Sequence, residues 1–298
     1  MLIHQENILH KNVYLLRLYE FVKLVGPAGV FFIMFALGLN LSIKKFFKVL
    51  KNYKTLLTGL ICQIIILPII GLIAISLIEL TPEFQFGIFL LVIMPSAAMS
   101  NYATKLVDAN VTLSITLTST CALLSFITVP LYLNLFSKFV YSNIFELNLF
   151  IFSIKTFLFI TIPVFLGIFF RQKFPKFFEK RIFILDKCAF GIFLLIVFIA
   201  ILIERNNLLN YFDDIGVVVI ILISSIFITV FIITKIFIND LGSRRAILIE
   251  GLLQNGAMGF VVGSLIYSEV VYLIPIAIYS LLQYCALMFY IGNIKIKN

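Results

Sequence analysis

The chain has 298 residues, 62% of them hydrophobic and 12% charged, with a mean hydropathy of +1.14 and a net charge of +9. That balance excludes a water-soluble globule, and the positive charge reads as membrane topology and attraction to anionic lipid rather than nucleic-acid binding. The histidines, His4 and His10, and four scattered cysteines offer no metal-ligand spacing, so no resident metal or organic cofactor is expected.

In chain order, the first 23 residues are polar and then amphipathic, with Val13, Leu16 and Phe21 set against Arg17, Glu20 and Lys23. This is the pattern of an interfacial helix, and it lacks a signal peptide's order of basic start, apolar run and small cleavage residues. Nine apolar segments follow, at about 24–43, 55–78, 85–106, 110–137, 147–170, 182–203, 215–238, 243–265 and 268–292, here spans A to I. A helix crosses the hydrocarbon with about 20 such residues. The connections are too short for a soluble domain, so residues 1–298 form a single transmembrane domain.

Spans C and H differ from the rest. Span C runs from Gly87 to Met94, meets Pro95, and turns small and polar as Ser96-Ala97-Ala98-Met99-Ser100-Asn101. A proline there removes a backbone hydrogen bond and kinks or breaks the helix. Span H holds Glu250, followed by Gly251, Leu253 and the polar run Gln254-Asn255-Gly256. A carboxylate at membrane depth costs about 2.5–3.5 kcal/mol, so its default reading is an ion or proton site. Interrupted helices at that depth line cavities, and in secondary transporters paired interruptions build the substrate and ion sites. The competing reading is a proline kink plus polar residues that join helices. Gly256, Gly259 and Gly263 fit close helix packing, and Pro68, Pro130, Pro163 and Pro275 fit kinks with packing roles. Cys62, Cys121, Cys188 and Cys285 lie in spans and read as small apolar residues.

The basic residues set a topology. Sixteen of the 23 lysines and arginines fall near the A–B, C–D, E–F and G–H connections and the C-terminal tail, against five on the other side and Lys155 and Lys187 within spans. The positive-inside rule then places the N-terminus outside and the C-terminus in the cytoplasm of an inner-membrane protein.

With these elements in hand, the chain resembles the bile acid:sodium symporters, in the wider bile/arsenite/auxin transporter superfamily. The resemblance runs from Phe32-Ile-Met-Phe-Ala-Leu-Gly38-Leu-Asn-Leu to the last span. It is carried most specifically by Pro95 with Ser100-Asn101 and by Glu250 with Gln254-Asn255. It implies an all-α, inverted-repeat transporter in which two broken helices cross. The panel would be 24–43 and 147–203, and the core 55–137 and 215–292. It also implies that the first of the ten spans found in many bacterial relatives is lacking here. Two sodium sites follow by the same resemblance: Ser100, Asn101, Ser114, Thr118 and Glu250 in one, and Gln63, Glu250, Gln254 and carbonyls near Gly251 and Leu253 in the other.

The chemistry is sound on its own terms, since a hard cation takes hydroxyl, amide and carbonyl oxygens. Ser114 and Thr118 share a helix face, although bonding back to their own helix is the alternative for both. Asn255 and Ala98 are candidate substrate contacts beside amides freed at half-helix starts, whose dipoles favour anions. Lys155 either meets a substrate carboxylate or extends to the membrane surface. Ser96-Ala97-Ala98-Met99 stands where the family has glycines and often a threonine, which puts substrate identity in question more than the cation sites.

The expected function is sodium-coupled import of an organic anion, such as a bile-salt-like or small carboxylic acid. The alternatives are proton coupling and sodium-independent carriage or efflux. An enzyme is disfavoured, because neither paired buried aspartates nor HExxH occurs, and span C lacks the cysteine on which arsenite carriers of this kind rely. The expected partners are sodium, a small organic anion and the lipid bilayer, with no nucleic acid and no obligate protein partner evident.

Overall fold

A computed structural model describes residues 28–29, 31–40, 53–140, 151, 154–155, 157–204, 208–267 and 269–297. The expected interfacial helix and Lys44, Lys45, Lys48 and Lys51 lie outside the described residues. Those described are mostly helical, with short connections between helices and one isolated bridge between Ser96 and Gln254.

The helices are α1 (Phe31–Asn40) and α2 (Tyr53–Leu77), then α3 (Pro82–Val92) and α4 (Met99–Leu106). Next come α5 (Val111–Val140), α6 (Ile162–Lys173), α7 (Ile182–Glu204) and α8 (Leu208–Phe237). The chain closes with α9 (Leu241–Leu252), α10 (Gly256–Ile266) and α11 (Ile274–Lys297). Among the described residues four stretches, Tyr53–Leu77, Val111–Lys138, Tyr211–Phe237 and Val270–Ile294, are long and apolar enough to cross a bilayer. Along α2 the residues Leu57, Ile61, Ile65, Ile69, Ile73 and Leu77 are all exposed at four-residue spacing, while Leu67, Gly71 and Ile75 turn inward. An outward apolar stripe of that length, in a chain this hydrophobic, fits a lipid-facing surface. The chain is an all-α, multi-pass membrane protein.

Both expected interruptions are present. Span C divides between α3 and α4 at residues 93–98, and span H between α9 and α10 at residues 253–255. Two of the other prolines act differently from simple kinks. Pro68 and Pro163 each follow a π-helical turn, Cys62–Ile66 and Phe157–Thr161. Pro68 has no N–H for the carbonyl four residues back, Ile64, and the Tyr132 hydroxyl from α5 donates to that oxygen instead. Pro130 sits inside α5 without ending it.

Glycines permit the closest helix approach. A side chain at Gly167 of α6 would strike the Phe35 carbonyl and the Gly38 backbone of α1, and one at Gly38 would strike Val164. Gly263 of α10 leaves only 2.5 Å for a Cβ before Leu273, so the packing reading of that glycine holds. At one end of the bundle, Asn110 donates through its backbone to the Gly242 carbonyl at 3.1 Å and through its side chain to the Ser243 hydroxyl at 3.1 Å. Arg245 donates to the Val107 carbonyl at 3.2 Å. The α4–α5 and α8–α9 connections therefore lie at the same end, as the charge pattern requires of them.

Candidate functional site: the helix crossing and its cleft

The two interruptions cross as extended peptides that supply each other's missing backbone partners. Ala97 donates to the Leu253 carbonyl at 2.9 Å and Asn255 donates to the Pro95 carbonyl at 2.9 Å. Gln283 of α11 clamps the same point. Its Oε1 accepts from the Gln254 N–H at 2.8 Å and its Nε2 donates to the Gln254 carbonyl at 3.1 Å. Backbone broken inside a membrane needs such partners, because no water is there to substitute.

Glu250 lies in the last turn of α9 and is 3% exposed. A negative charge near a helix C-terminus opposes the helix dipole, and here four hydroxyls compensate. Oε1 accepts from Ser100 at 2.5 Å and from Ser114; Oε2 accepts from Thr118 at 2.7 Å and from Ser96. Ser114 also donates to Asn101 Oδ1 at 2.9 Å. Thus Ser100, Asn101, Ser114, Thr118 and Glu250 meet as one cluster of oxygens. Of the two helix-face hydroxyls, Thr118 also lies 3.0 Å from the Ser114 carbonyl of its own helix, so its single proton is shared between that oxygen and Glu250.

Gln63, Gln254 and Gly251 form a second group. Gln63 Nε2 donates to Gln254 Oε1 at 2.7 Å and to the Met94 carbonyl at 3.1 Å, and Gln254 Nε2 donates to the Gly251 carbonyl at 2.9 Å. Gln63 Oε1 is buried without a hydrogen-bond partner. A buried orphan acceptor costs about 1–3 kcal/mol, and a hard cation beside it would relieve that cost. No hydrogen bond joins Glu250 to Gln63 or Gln254, and Leu253 enters through its carbonyl at the crossing. Both groups sit where α3 and α9 end, the negative poles of those helices.

The opposite poles, the starts of α4 and α10, border a cleft between α1 and α7 on one side and the crossing on the other. Ala98 and Asn255 line it, together with Tyr102, Asp186 and Ala257. Asn255 is the N-cap of α10, its Oδ1 accepting from the Met258 N–H at 3.0 Å. Lys155 is exposed and is not among the residues lining the cleft.

Three residues of this region carry no signal of their role in the sequence. Ser96 counted only as a departure from a glycine pattern, whereas its hydroxyl reaches Glu250. Gln283 carries no motif and is found only through what it touches. Asp186 is a lone acid within the apolar run of span F, with no motif around it. Its carboxylate accepts from Asn40 Nδ2 at 2.7 Å and from the Tyr102 hydroxyl at 2.8 Å.

Comparison with known proteins bears on this geometry. A probable chloroplastic sodium/metabolite cotransporter of Arabidopsis thaliana, BASS6, is 40% identical over 93 residues, covering 30% of this chain and 23% of its own length. The human ileal sodium/bile acid cotransporter is 29% identical over 106 residues, 36% of this chain and 30% of its own. An uncharacterized sodium-dependent transporter of Bacillus subtilis, YocS, is 30% identical over 106 residues, 36% of this chain and 33% of its own. The chain thus matches about a quarter to a third of the length of these relatives. The match to the sodium bile acid symporter family is broader, covering residues 27–211. It takes in α3, α4 and α5 with Gln63, Ser100, Asn101, Ser114 and Thr118, and with it the chain belongs to the sodium bile acid symporter family, one of transporters and not enzymes.

Proposed function

We propose that the protein is a sodium-coupled symporter that brings a small organic anion into the cell. The observation that carries this reading is the Glu250 carboxylate surrounded by four hydroxyls at the crossing of the two interrupted helices. Removing a carboxylate from water without a cation nearby is costly. Clustering five more oxygens around it, with Asn101 Oδ1, builds what a dehydrated sodium ion takes in place of its waters. The orphaned Gln63 Oε1 and its neighbour Gln254 Oε1 supply a second such place. These two groups are proposed as the two sodium sites, with the carbonyls of Gly251 and Leu253 completing the second.

The anion binds in the neighbouring cleft. The starts of α4 and α10 present their positive poles there, and Asn255 and Ala98 line it. Sodium at the crossing fixes the peptides that position those helix starts, so the cation orders the anion site. In the proposed cycle α2–α5 and α8–α11 form the core and α1, α6 and α7 the panel. The core slides past the panel with its cargo, N-terminus outside and C-terminus in the cytoplasm. The close α1–α6 contact through Gly38 and Gly167 supports a panel that moves as one body.

The test is thermal unfolding of the detergent-purified chain titrated with sodium, potassium or choline chloride. A ligand that binds only the folded state stabilises it by RT ln(1 + [L]/Kd), so no transported solute need be known. A rise specific to sodium, and lost in Glu250→Gln, is expected. Equal responses to the three salts would turn the reading toward proton coupling or sodium-independent transport.

A further inference from the structure

We infer that the cleft takes a zwitterion, a small amino carboxylate whose ammonium group rests on Asp186 while its carboxylate rests on Asn255. This rests on the proposed sodium-coupled transport of a carboxylate and replaces its simple organic anion with a carboxylate that also carries an ammonium group.

Asp186 is a cleft residue of α7 whose two hydrogen-bond partners are both neutral. Asn40 donates to Oδ1 at 2.7 Å and Tyr102 to Oδ2 at 2.8 Å. A carboxylate offers about four acceptor positions, so each oxygen keeps one free. Among the described residues no lysine or arginine pairs with it, and the adjacent Lys187 holds its Nζ over the Phe183 ring at 4.4 Å. The cleft therefore has a negative wall with no cation assigned to it.

The other wall has the opposite character. Asn255 is 5% exposed and commits its Oδ1 to the Met258 N–H at 3.0 Å, while its Nδ2 has no partner among the described residues. Together with the starts of α4 and α10 it makes a donor wall for a carboxylate. A solute with only a negative charge gains at Asn255 and is repelled at Asp186. A solute with only a positive charge meets the reverse. An amino carboxylate satisfies both walls, and the cleft lining, which includes Ala36, Ala98 and Ala257, suits a short hydrocarbon spacer.

The experiment is thermal unfolding of the full chain in sodium chloride with matched pairs. β-Alanine, γ-aminobutyrate, ε-aminocaproate, alanine, norvaline and norleucine are set against propionate, butyrate, valerate and caproate. At least one amino carboxylate should bind tenfold or more tightly than its deaminated counterpart. Asp186→Asn should erase that preference while leaving the sodium response intact. Tyr102→Phe, which keeps the charge, should retain the preference and serves where the asparagine variant fails to fold. Deaminated acids binding as well as the amino acids, no amino carboxylate binding, or a preference that survives in Asp186→Asn would each overturn the inference. Sodium titrated alone in the same assay separates the two readings. A sodium response without amino-carboxylate binding defeats only the zwitterion, whereas loss of the sodium response defeats the coupling.

Discussion

Ser96 and Gln254 face one another as an antiparallel bridge at the point where two interrupted helices cross. Neither peptide could remain extended at this depth alone, because each would leave backbone groups unpaired. Paired, they bring the Ser96 hydroxyl to Glu250 and the Gln254 amide to Gln63. The bridge thus joins the two oxygen clusters through backbone rather than through a flexible side chain. Binding at either cluster bears on the register of the same two strands.

Gln283 is the weak point of that arrangement. It is 1% exposed, and it alone holds the Gln254 N–H and carbonyl from the α11 side. Gln283→Leu is close in size but leaves the buried Gln254 N–H without a partner, a loss worth about 1–3 kcal/mol, while the Gln254 carbonyl keeps the Gly256 N–H at 3.0 Å. The variant should unfold about 1–3 kcal/mol more easily, and its apparent sodium affinity should fall because the crossing loses a fixed geometry. Thermal unfolding with and without sodium measures both effects.

Tyr132 allows a sharper test, since its hydroxyl stands in for the N–H that Pro68 lacks. Tyr132→Phe should cost about 1–2 kcal/mol by orphaning the Ile64 carbonyl. In a Pro68→Ala background the new N–H can serve that carbonyl, so the same substitution should be nearly neutral. A double-mutant cycle should return a coupling of about 1 kcal/mol or more. An additive pair would mean that the hydroxyl and the proline act independently.

Much of this was legible in the sequence because membrane burial leaves few polar residues unexplained. Glu250, Pro95 and Gln254 stand out in apolar runs, and the interruptions fall where those residues predict them. Ser114 and Thr118 follow from helical spacing together with the family resemblance. What was not legible depends on contacts across the chain. Gln283 meets Gln254 over 29 positions and Asn40 meets Asp186 over 146, and no local pattern encodes such pairings. Pro68 could be read as a kink, but the π turn before it and the hydroxyl that relieves it required knowing which helix lies alongside.

At the end of the bundle, Asp240 caps α9 by accepting from Ser243 at 2.7 Å and Gly242 at 3.3 Å. The Ser243 side chain above all, then the two amides and the nearby Arg244 charge, hold its carboxyl below the ordinary value of 3.8 against the opposing effect of burial. A depressed folded value means the stabilisation is complete above the unfolded value and is lost as pH falls through the folded one. The cap is worth about 1 kcal/mol, and exposure keeps it from being more. Hydrogen exchange of the first-turn amides of α9 should therefore quicken, relative to Asp240→Asn, only below about pH 4. An equal pH response in the two proteins would remove the carboxylate from the account.

The Glu250 cluster predicts a graded series. Ser114→Ala removes a hydroxyl that touches both Glu250 and Asn101, whereas Thr118→Val and Ser96→Ala each remove one whose other partners are a backbone carbonyl or a hydroxyl. Bonds to a charged group are worth about 1.5–3 kcal/mol, which corresponds to roughly 10- to 100-fold in affinity. Each variant should weaken sodium by that order, with Ser114→Ala the most affected, because it loses a contact with two ligands. Ser96→Ala is the informative member, since the family resemblance has glycine there. A loss comparable to Thr118→Val would make Ser96 a ligand particular to this chain. An unchanged sodium midpoint would reduce it to a hydrogen-bond partner of the carboxylate that leaves when the cation enters.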